Sequence, residues 1–406
     1  MASLLINSDY KGFPWSAHGT NTAQFLATKP NLFSSDFQFP IMVLRESALQ
    51  HNIDRMAEYC AGLGVSLAPH VKTSMSPQIA RRQLDAGAWG ITVANYSQAN
   101  IFLEAGFNRI IIGNEVLEPS SICEIGRRNY EGSAEILFYI DSLAGLKIVQ
   151  NAIMSQAESK LNILMEIGVT GGRTGIRDLA LLKELMKLIA MDSKISVRGV
   201  SGFEGAVPGG DREAGDKNLR IFLRFILRAA RIVKPYVNEP IILSAGGSSY
   251  FDYVVEEFAR FEGDANTILR SGGYVSHDHI HYEDLNPFMG AKESDRFLPA
   301  LELWSRVLSI PEPNLAILNF GKRDAGNDLD NPLPIKKIGS RVEAMSAEIM
   351  MLNDQHAFMS VTPGTVEVGQ IVGCGISHPC TNFDKWRLIP LVNDNYDVID
   401  CIQTHF

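Results

Sequence analysis

Residues 66–95 read SLAPHVKTSMSPQIARRQLDAGAWGITVAN. A short apolar run, 66–73, leads into SPQIARRQLDAG, where apolar residues fall three and four apart and an Ala-Gly pair ends the pattern. A second short run, WGITVAN (89–95), follows at once. Strand, amphipathic helix, glycine stop, strand: that order is one βα unit. The chain then repeats it, with runs RIIIGNEV (109–116), EILFYID (135–141), NILMEIG (162–168), ISVRGVSGF (195–203), PIILSAGG (240–247) and NTILRSGG (266–273). Helical stretches such as DLALLKELMKLIAM lie between them. Eight alternations in a region of ordinary length predict a (β/α)8 TIM barrel. An open doubly wound sheet is the alternative, because period alone cannot show closure.

Working outward, the barrel is assigned residues 40–295. Beyond 296 the texture changes to short runs (LAILNF, EAMSAEIMML, HAFMSV, RLIPLV) broken by Pro, Gly, Asn and Asp, which predicts a second, all-β domain. Residues 1–39 carry no βα unit and are assigned to that domain with 296–406. Of the 406 residues, 46% are apolar and 20% charged, so the chain is globular rather than disordered. Lys plus Arg number 37 against 46 Asp plus Glu, a net charge of −9 with no basic cluster. That balance excludes nucleic acid and anionic membrane as natural partners. No apolar run is long enough to span a bilayer, and the start lacks the basic and apolar regions of an export signal, so a cytoplasmic protein is expected. Cys60, Cys123, Cys374, Cys380 and Cys401, odd in number and scattered, do not make a disulfide framework.

In a barrel the C-terminal ends of the strands face the active site. The first run ends Pro69-His70-Val71-Lys72-Thr73, and strand alternation puts His70 and Lys72 on one face. A lysine aimed into a barrel is costly to bury as a cation, which is the setting of a Schiff-base lysine; a strand-end lysine reaching solvent is the ordinary alternative. The seventh run ends Ser244-Ala245-Gly246-Gly247-Ser248-Ser249 and the eighth Ser271-Gly272-Gly273-Tyr274. Glycines let backbone N–H groups approach an anion, and these two loops are where barrels commonly hold phosphate. Lysine and loops together point to pyridoxal phosphate, with Arg173 in the loop after the fifth run aimed at the same mouth. In the β domain, His378 and Cys380 share a face of an extended chain and can ligate one borderline cation, zinc before manganese or another divalent ion. A buried cysteine beside a hydrogen-bonded histidine is the plainer reading. His277, His279 and His281 alternate as well, as a metal cluster or as rim histidines.

These segments resemble a known family. PHVKT with SPQIARRQLDAGAWGITVAN is similar to the lysine segment of fold-type III pyridoxal-phosphate enzymes with an alanine racemase-like barrel, in the D-serine dehydratase/D-threonine aldolase branch. GGRTG, SAGGSS, SGGY, DQHAF and SHPC follow in the family's order over most of the chain. LPALELWSRVLSIPEPNLAILNFGKRD and SGGYVSHDH resemble the bacterial amino-acid/D-serine deaminase subgroup. The resemblance implies a barrel with a discontinuous β domain, working as a homodimer with sites at the subunit interface. It implies that Lys72 carries the cofactor and that Gly246, Gly247, Gly273 and Tyr274 surround its phosphate. Arg173 would lie near the ring, and His378 and Cys380 would bind a divalent metal. His70, Ser244 and Ser248 are counted with the cofactor contacts by position. Two departures stand out: the family's EIDxG is here Glu166-Ile167-Gly168, and the histidine expected as the base for aldol cleavage is replaced in Gly202-Phe203-Glu204-Gly205.

The resulting expectation is a lyase eliminating water from a D-β-hydroxy amino acid to give a 2-oxo acid and ammonia, with Lys72 as the base. Retro-aldol cleavage to glycine and an aldehyde, with Glu204 as base, is the alternative. Racemisation needs a second base and leaves the metal pair idle. A non-catalytic cofactor carrier does not need the β domain.

Overall fold

Each of the eight runs forms a strand in the computed structural model, which describes residues 4–207 and 212–406. They are β1 (Ser66–Leu67), β2 (Ile91–Val93), β3 (Arg109–Glu115), β4 (Glu135–Ile140), β5 (Leu161–Ile167), β6 (Ile195–Gly202), β7 (Ile241–Ala245) and β8 (Ala265–Leu269). All pair in parallel, β1 with β8, β8 with β7, and so on down to β3 with β2. The remaining edge closes through a parallel bridge between His70 and Thr92, with Trp89 N–H donating to Leu67 O (2.7 Å) and Thr92 N–H to Pro69 O (2.8 Å). Closure decides for a barrel over an open sheet.

Ala68, Ile111, Leu137, Tyr139, Leu164, Ile242 and Ile268 meet inside it, with Trp89 packed against them. Each comes from a strand of the ring or its flank, so the interior is a packed core rather than a pore. The outer helices bury one stripe: Leu179–Ile189 hides Leu182, Leu185, Met186 and Ile189, and its N-cap Asp178 accepts from Ala180 N–H. The predicted glycine stops hold, with Gly87 and Gly106 at φ +101° and +84° just past their helices.

The second sheet is built around the long strand Leu301–Glu312, antiparallel to Ile41–Arg45, Leu315–Leu318 and Ile371–Gly375. Ile41–Arg45 also pairs in parallel with Leu388–Val392, which pairs antiparallel with Val398–Gln403. The N-terminal segment is tied to this sheet: Asn31 bridges Asp397, and Val398 N–H donates to Pro30 O (2.8 Å). Compactness divides the chain into two units, Met56–Lys72 with Ala80–Gly272, and Met1–Arg55 with Thr73–Ile79 and Gly273–Phe406. The chain passes from one to the other between Lys72 and Thr73. Among the described residues no helix is long and apolar enough to cross a membrane.

Candidate active site

In the barrel unit, the strand does not carry Lys72 as alternation predicted. Pro69 brings no N–H to the ladder, and after His70 the chain turns into a 3-10 turn, Val71–Thr73. Lys72 stands exposed on that turn, so the expected cost of burying it does not arise. His70 stays on the barrel: its N–H donates to Arg270 O (3.2 Å), and its Nδ1 is buried with no hydrogen-bond partner. Burial holds its pKa well below the usual imidazole value, reinforced by the charges of Lys72, Arg270 and Arg173. The imidazole is therefore neutral and sits in a cationic field. Gly272 passes so close that a Cβ there would lie 2.3 Å from His70 O, which is why the eighth loop needs glycine.

Arg270 was not singled out from sequence, although an arginine inside the apolar run NTILRSGG was the available signal. It is 8% exposed. One terminal nitrogen donates to Ser244 Oγ (2.7 Å) and Ser201 Oγ (2.9 Å), the other to Gly202 O (2.7 Å). Ser201 Oγ in turn donates to Tyr139 OH (2.8 Å). Among the described residues no carboxylate pairs with this buried guanidinium; three neutral oxygens hold it, so its charge stays uncompensated at the ends of β6, β7 and β8. Ser244 thus serves Arg270, and Arg173 stacks its exposed guanidinium 4.4 Å from the Phe203 ring.

The glycine loop differs from the sequence expectation. Gly246 N–H donates to Glu204 Oε2 (3.0 Å) and Gly247 N–H to Glu204 Oε1. Glu204 is 1% exposed. A buried carboxylate has collected the two N–H groups assigned to phosphate, because a charged acceptor must be satisfied when it leaves water. Both oxygens of the residue considered as an aldolase base are therefore engaged. Ser248 lies half-buried in the same loop. Ser271 Oγ donates to Gly246 O (3.0 Å) and fixes the loop from beneath.

A further cluster, also missed, lies at the strand ends on the other side of the ring. Glu115 ends β3, Asp141 follows β4 and Glu166 is on β5. Burial pushes the Glu115 carboxyl up to about 8, helped by the hydrogen bond and charge of Glu166. A cavity of about 420 Å³ opens at the opposite, N-terminal end of the strands, lined by Lys160, Asn162, Arg198 and Glu239 among others; it holds none of these residues.

The other unit contains Gly273, Tyr274, His378 and Cys380. Gly273 and Tyr274 are buried in the 3-10 turn Gly273–Val275, with Gly273 O accepting from His277 N–H (2.8 Å). His378 and Cys380 are not on an extended chain: His378 has φ +49° and Cys380 opens the short helix Cys380–Phe383. The turn still joins them, for the Cys380 thiol and Asp328 together raise the His378 pKa to about 9. Asp328 Oδ2 holds His378 Nδ1 at 2.5 Å, and Thr381 Oγ1 donates to Asp328 Oδ1 (2.7 Å). Asp278 Oδ2 accepts His378 N–H (3.0 Å). Thr73 Oγ1 lies 3.3 Å from Cys380 Sγ. A carboxylate on one imidazole nitrogen leaves the other for a metal beside the thiol, the donor chemistry of a zinc-class ion. The alternating histidines do not join in: His277 Nε2 bonds Glu283 (3.0 Å), His279 packs on Gly375, and His281 meets the Tyr282 ring edge-on.

The barrel residues also fit pyridoxal phosphate. An exposed amine, a cationic field and an orphaned buried Nδ1 match an anionic aldehyde with a polar ring. The departure is that the Gly246 and Gly247 N–H groups are already engaged.

Residues 44–254 match the family described as "Alanine racemase, N-terminal domain", and residues 300–392 match the "Putative serine dehydratase domain". A D-threonine aldolase of Arthrobacter sp. is 26% identical over 361 residues, 87% of this chain and 89% of its own length. A 3-hydroxy-D-aspartate aldolase of Paracoccus denitrificans is 24% identical, covering 89% and 86%. In fold, the chain resembles D-threonine aldolase from Filomicrobium marinum with a TM-score of 0.76 at 20% identity, over 91% and 95% of the chains. A cysteine-to-alanine mutant of D-threo-3-hydroxyaspartate dehydratase, in a metal-free form, gives 0.73 at 21% identity, over 91% and 98%.

Proposed function

The chain belongs to the alanine racemase N-terminal-domain family of fold-type III pyridoxal-phosphate enzymes, and from that premise we propose that it is a metal-assisted lyase acting on D-β-hydroxy amino acids. The reaction is elimination of water, with D-serine the simplest substrate; the resulting enamine takes up water and releases a 2-oxo acid and ammonia. Lys72 would hold the cofactor, with His70, Arg173, Ser248, Gly273 and Tyr274 around it. His378 and Cys380 would hold a divalent metal, zinc on this donor set. Bound pyridoxal phosphate supplies an electron sink for charge at the substrate Cα, and the metal supplies Lewis acidity toward an oxygen ligand.

The chain's own residues do the rest. Lys72, exposed on its turn, accepts the Cα proton at Nζ, and a base on one face selects one enantiomer. His70, kept neutral by burial and neighbouring cations, adds no positive charge beside that amine. Arg270, clamped by two serine hydroxyls and a carbonyl, keeps a fixed positive charge at the strand ends. Asp328 orients His378.

The observation that carries the metal-assisted reading is the hydroxyl of Thr73 against Cys380, beside the carboxylate that Asp328 sets on His378. Retro-aldol cleavage draws support from the resemblance to D-threonine aldolase. It needs a base at the β-hydroxyl, and Glu204 has both oxygens committed to Gly246 and Gly247. Glu204 is therefore assigned to positioning the loop, and Ser244 to holding Arg270. The working form is a cytoplasmic homodimer.

The test offers D-serine and D-threonine to purified protein carrying pyridoxal phosphate, with and without a chelator. Chelator-sensitive 2-oxo acid and ammonia are expected. Glycine and an aldehyde would replace this reading with the aldolase.

A further inference from the structure

We propose that Glu115, Asp141 and Glu166 form a second cation site, at the C-terminal ends of three adjacent barrel strands, which takes a hard divalent ion such as Mg²⁺ or Mn²⁺ through carboxylate oxygens. One oxygen from each residue lies within 4.8 Å of the others. β3, β4 and β5 are neighbours in the ring, so the convergence is set by the ladder and not by mobile loops. Asp141 Oδ2 also accepts Gly175 N–H (3.0 Å), which fixes that carboxylate toward the other two.

The independent observation is an orphaned acceptor. Glu166 is only 4% exposed, and beyond its contact with Glu115 its buried Oε2 meets no donor; the same holds for the buried Oε1 of Glu115. Buried carboxylate oxygens are almost always satisfied by a donor or a cation. Here no lysine or arginine among the described residues forms an ion pair with any of the three. Three like charges at this separation repel, and either a cation or a shared proton must relieve them.

Ligand chemistry separates this site from His378 and Cys380. Imidazole and thiolate select zinc-like ions, whereas an all-carboxylate set with room for water suits Mg²⁺, Mn²⁺ or Ca²⁺. The inference does not rest on the proposed reaction, because its readout is metal binding.

Mn²⁺ alone is the probe. Full-length Cys380→Ala protein carrying pyridoxal phosphate is titrated with Mn²⁺, and free ion is followed by its electron paramagnetic resonance signal. One bound equivalent is expected, with affinity falling by about tenfold or more in Cys380→Ala combined with Glu115→Gln or with Asp141→Asn. Absence of Mn²⁺ binding in the Cys380→Ala protein overturns the proposal. So does binding that survives both carboxylate changes. A protonated-carboxyl stretch at neutral pH in the infrared spectrum, unmoved by Mn²⁺ and lost in Glu115→Gln, also overturns it by showing a shared proton instead. If one variant fails to fold, the other and the titration of the parent protein still decide.

Discussion

Thr73 Oγ1 lies 3.3 Å from Cys380 Sγ, a contact between residues 307 positions apart. Thr73 closes the 3-10 turn that bears Lys72. The thiol read as a metal ligand is thus touched by the residue peptide-bonded to the lysine read as the cofactor anchor.

That contact makes Thr73→Val, nearly isosteric, an informative change. Loss of the hydroxyl should weaken metal affinity by roughly tenfold, as outer contacts to ligands do, and lower kcat more than it raises KM. Metal titration followed by steady-state kinetics on D-serine checks both. Unchanged affinity would confine Thr73 to packing.

Asp328→Asn keeps the shape beside His378 but removes the charge on Nδ1. Metal affinity is expected to fall about 10–100-fold with the unfolding transition little changed, since Asp328 is exposed. Equilibrium dialysis against a competing chelator measures the first and thermal denaturation the second.

Glu204 is a stability prediction. Glu204→Ala leaves the N–H groups of Gly246 and Gly247 without their acceptor, at about 1–3 kcal/mol for each group that stays buried and unsatisfied. Glu204→Gln retains one acceptor oxygen and should recover roughly half of that loss. Urea unfolding orders the three proteins as native, Gln, Ala. A Gln variant of native stability that specifically loses aldehyde formation would instead make Glu204 a base.

His279 gives a pH prediction. Burial lowers its pKa from 6.5 to about 4; Glu302 and Glu283 oppose the shift, while Lys336 and His277 add to it. The folded state holds the ring neutral, whereas the unfolded chain takes up a proton below about 6.5. Stability is therefore complete above that pH and is lost as pH falls from about 6.5 to about 4. The loss is on the order of 3 kcal/mol from this group. His279→Asn should show a correspondingly smaller decline between pH 7 and 4.5 in denaturant titrations, whatever its absolute stability. Equal slopes would show that the ring is charged in the folded protein.

Periodicity made the barrel legible, because strand and helix spacing are local properties and eight βα units recorded them eight times. The β domain was visible for the same reason, in short runs punctuated by Pro, Gly and Asn. Lys72, His378 and Cys380 stood out by residue type, yet alternation misplaced the lysine: Pro69 stops the ladder, and a 3-10 turn rather than a strand presents it. The same extended-chain assumption failed at His378, where a left-handed backbone and a helix start bring the pair together by another route. Thr73, Asp328 and the Glu115–Asp141–Glu166 group gave no pattern along the chain, and Arg270 only that of an arginine in an apolar run, since their partners lie tens to hundreds of positions away and meet only when the strands take their places. Glu204 shows the limit most clearly. Its residue type suggested a base and Gly246-Gly247 suggested a phosphate cradle. Folding brings the carboxylate onto those two N–H groups, because both must find partners once water is gone, and no spacing in a linear chain records which partner each will find.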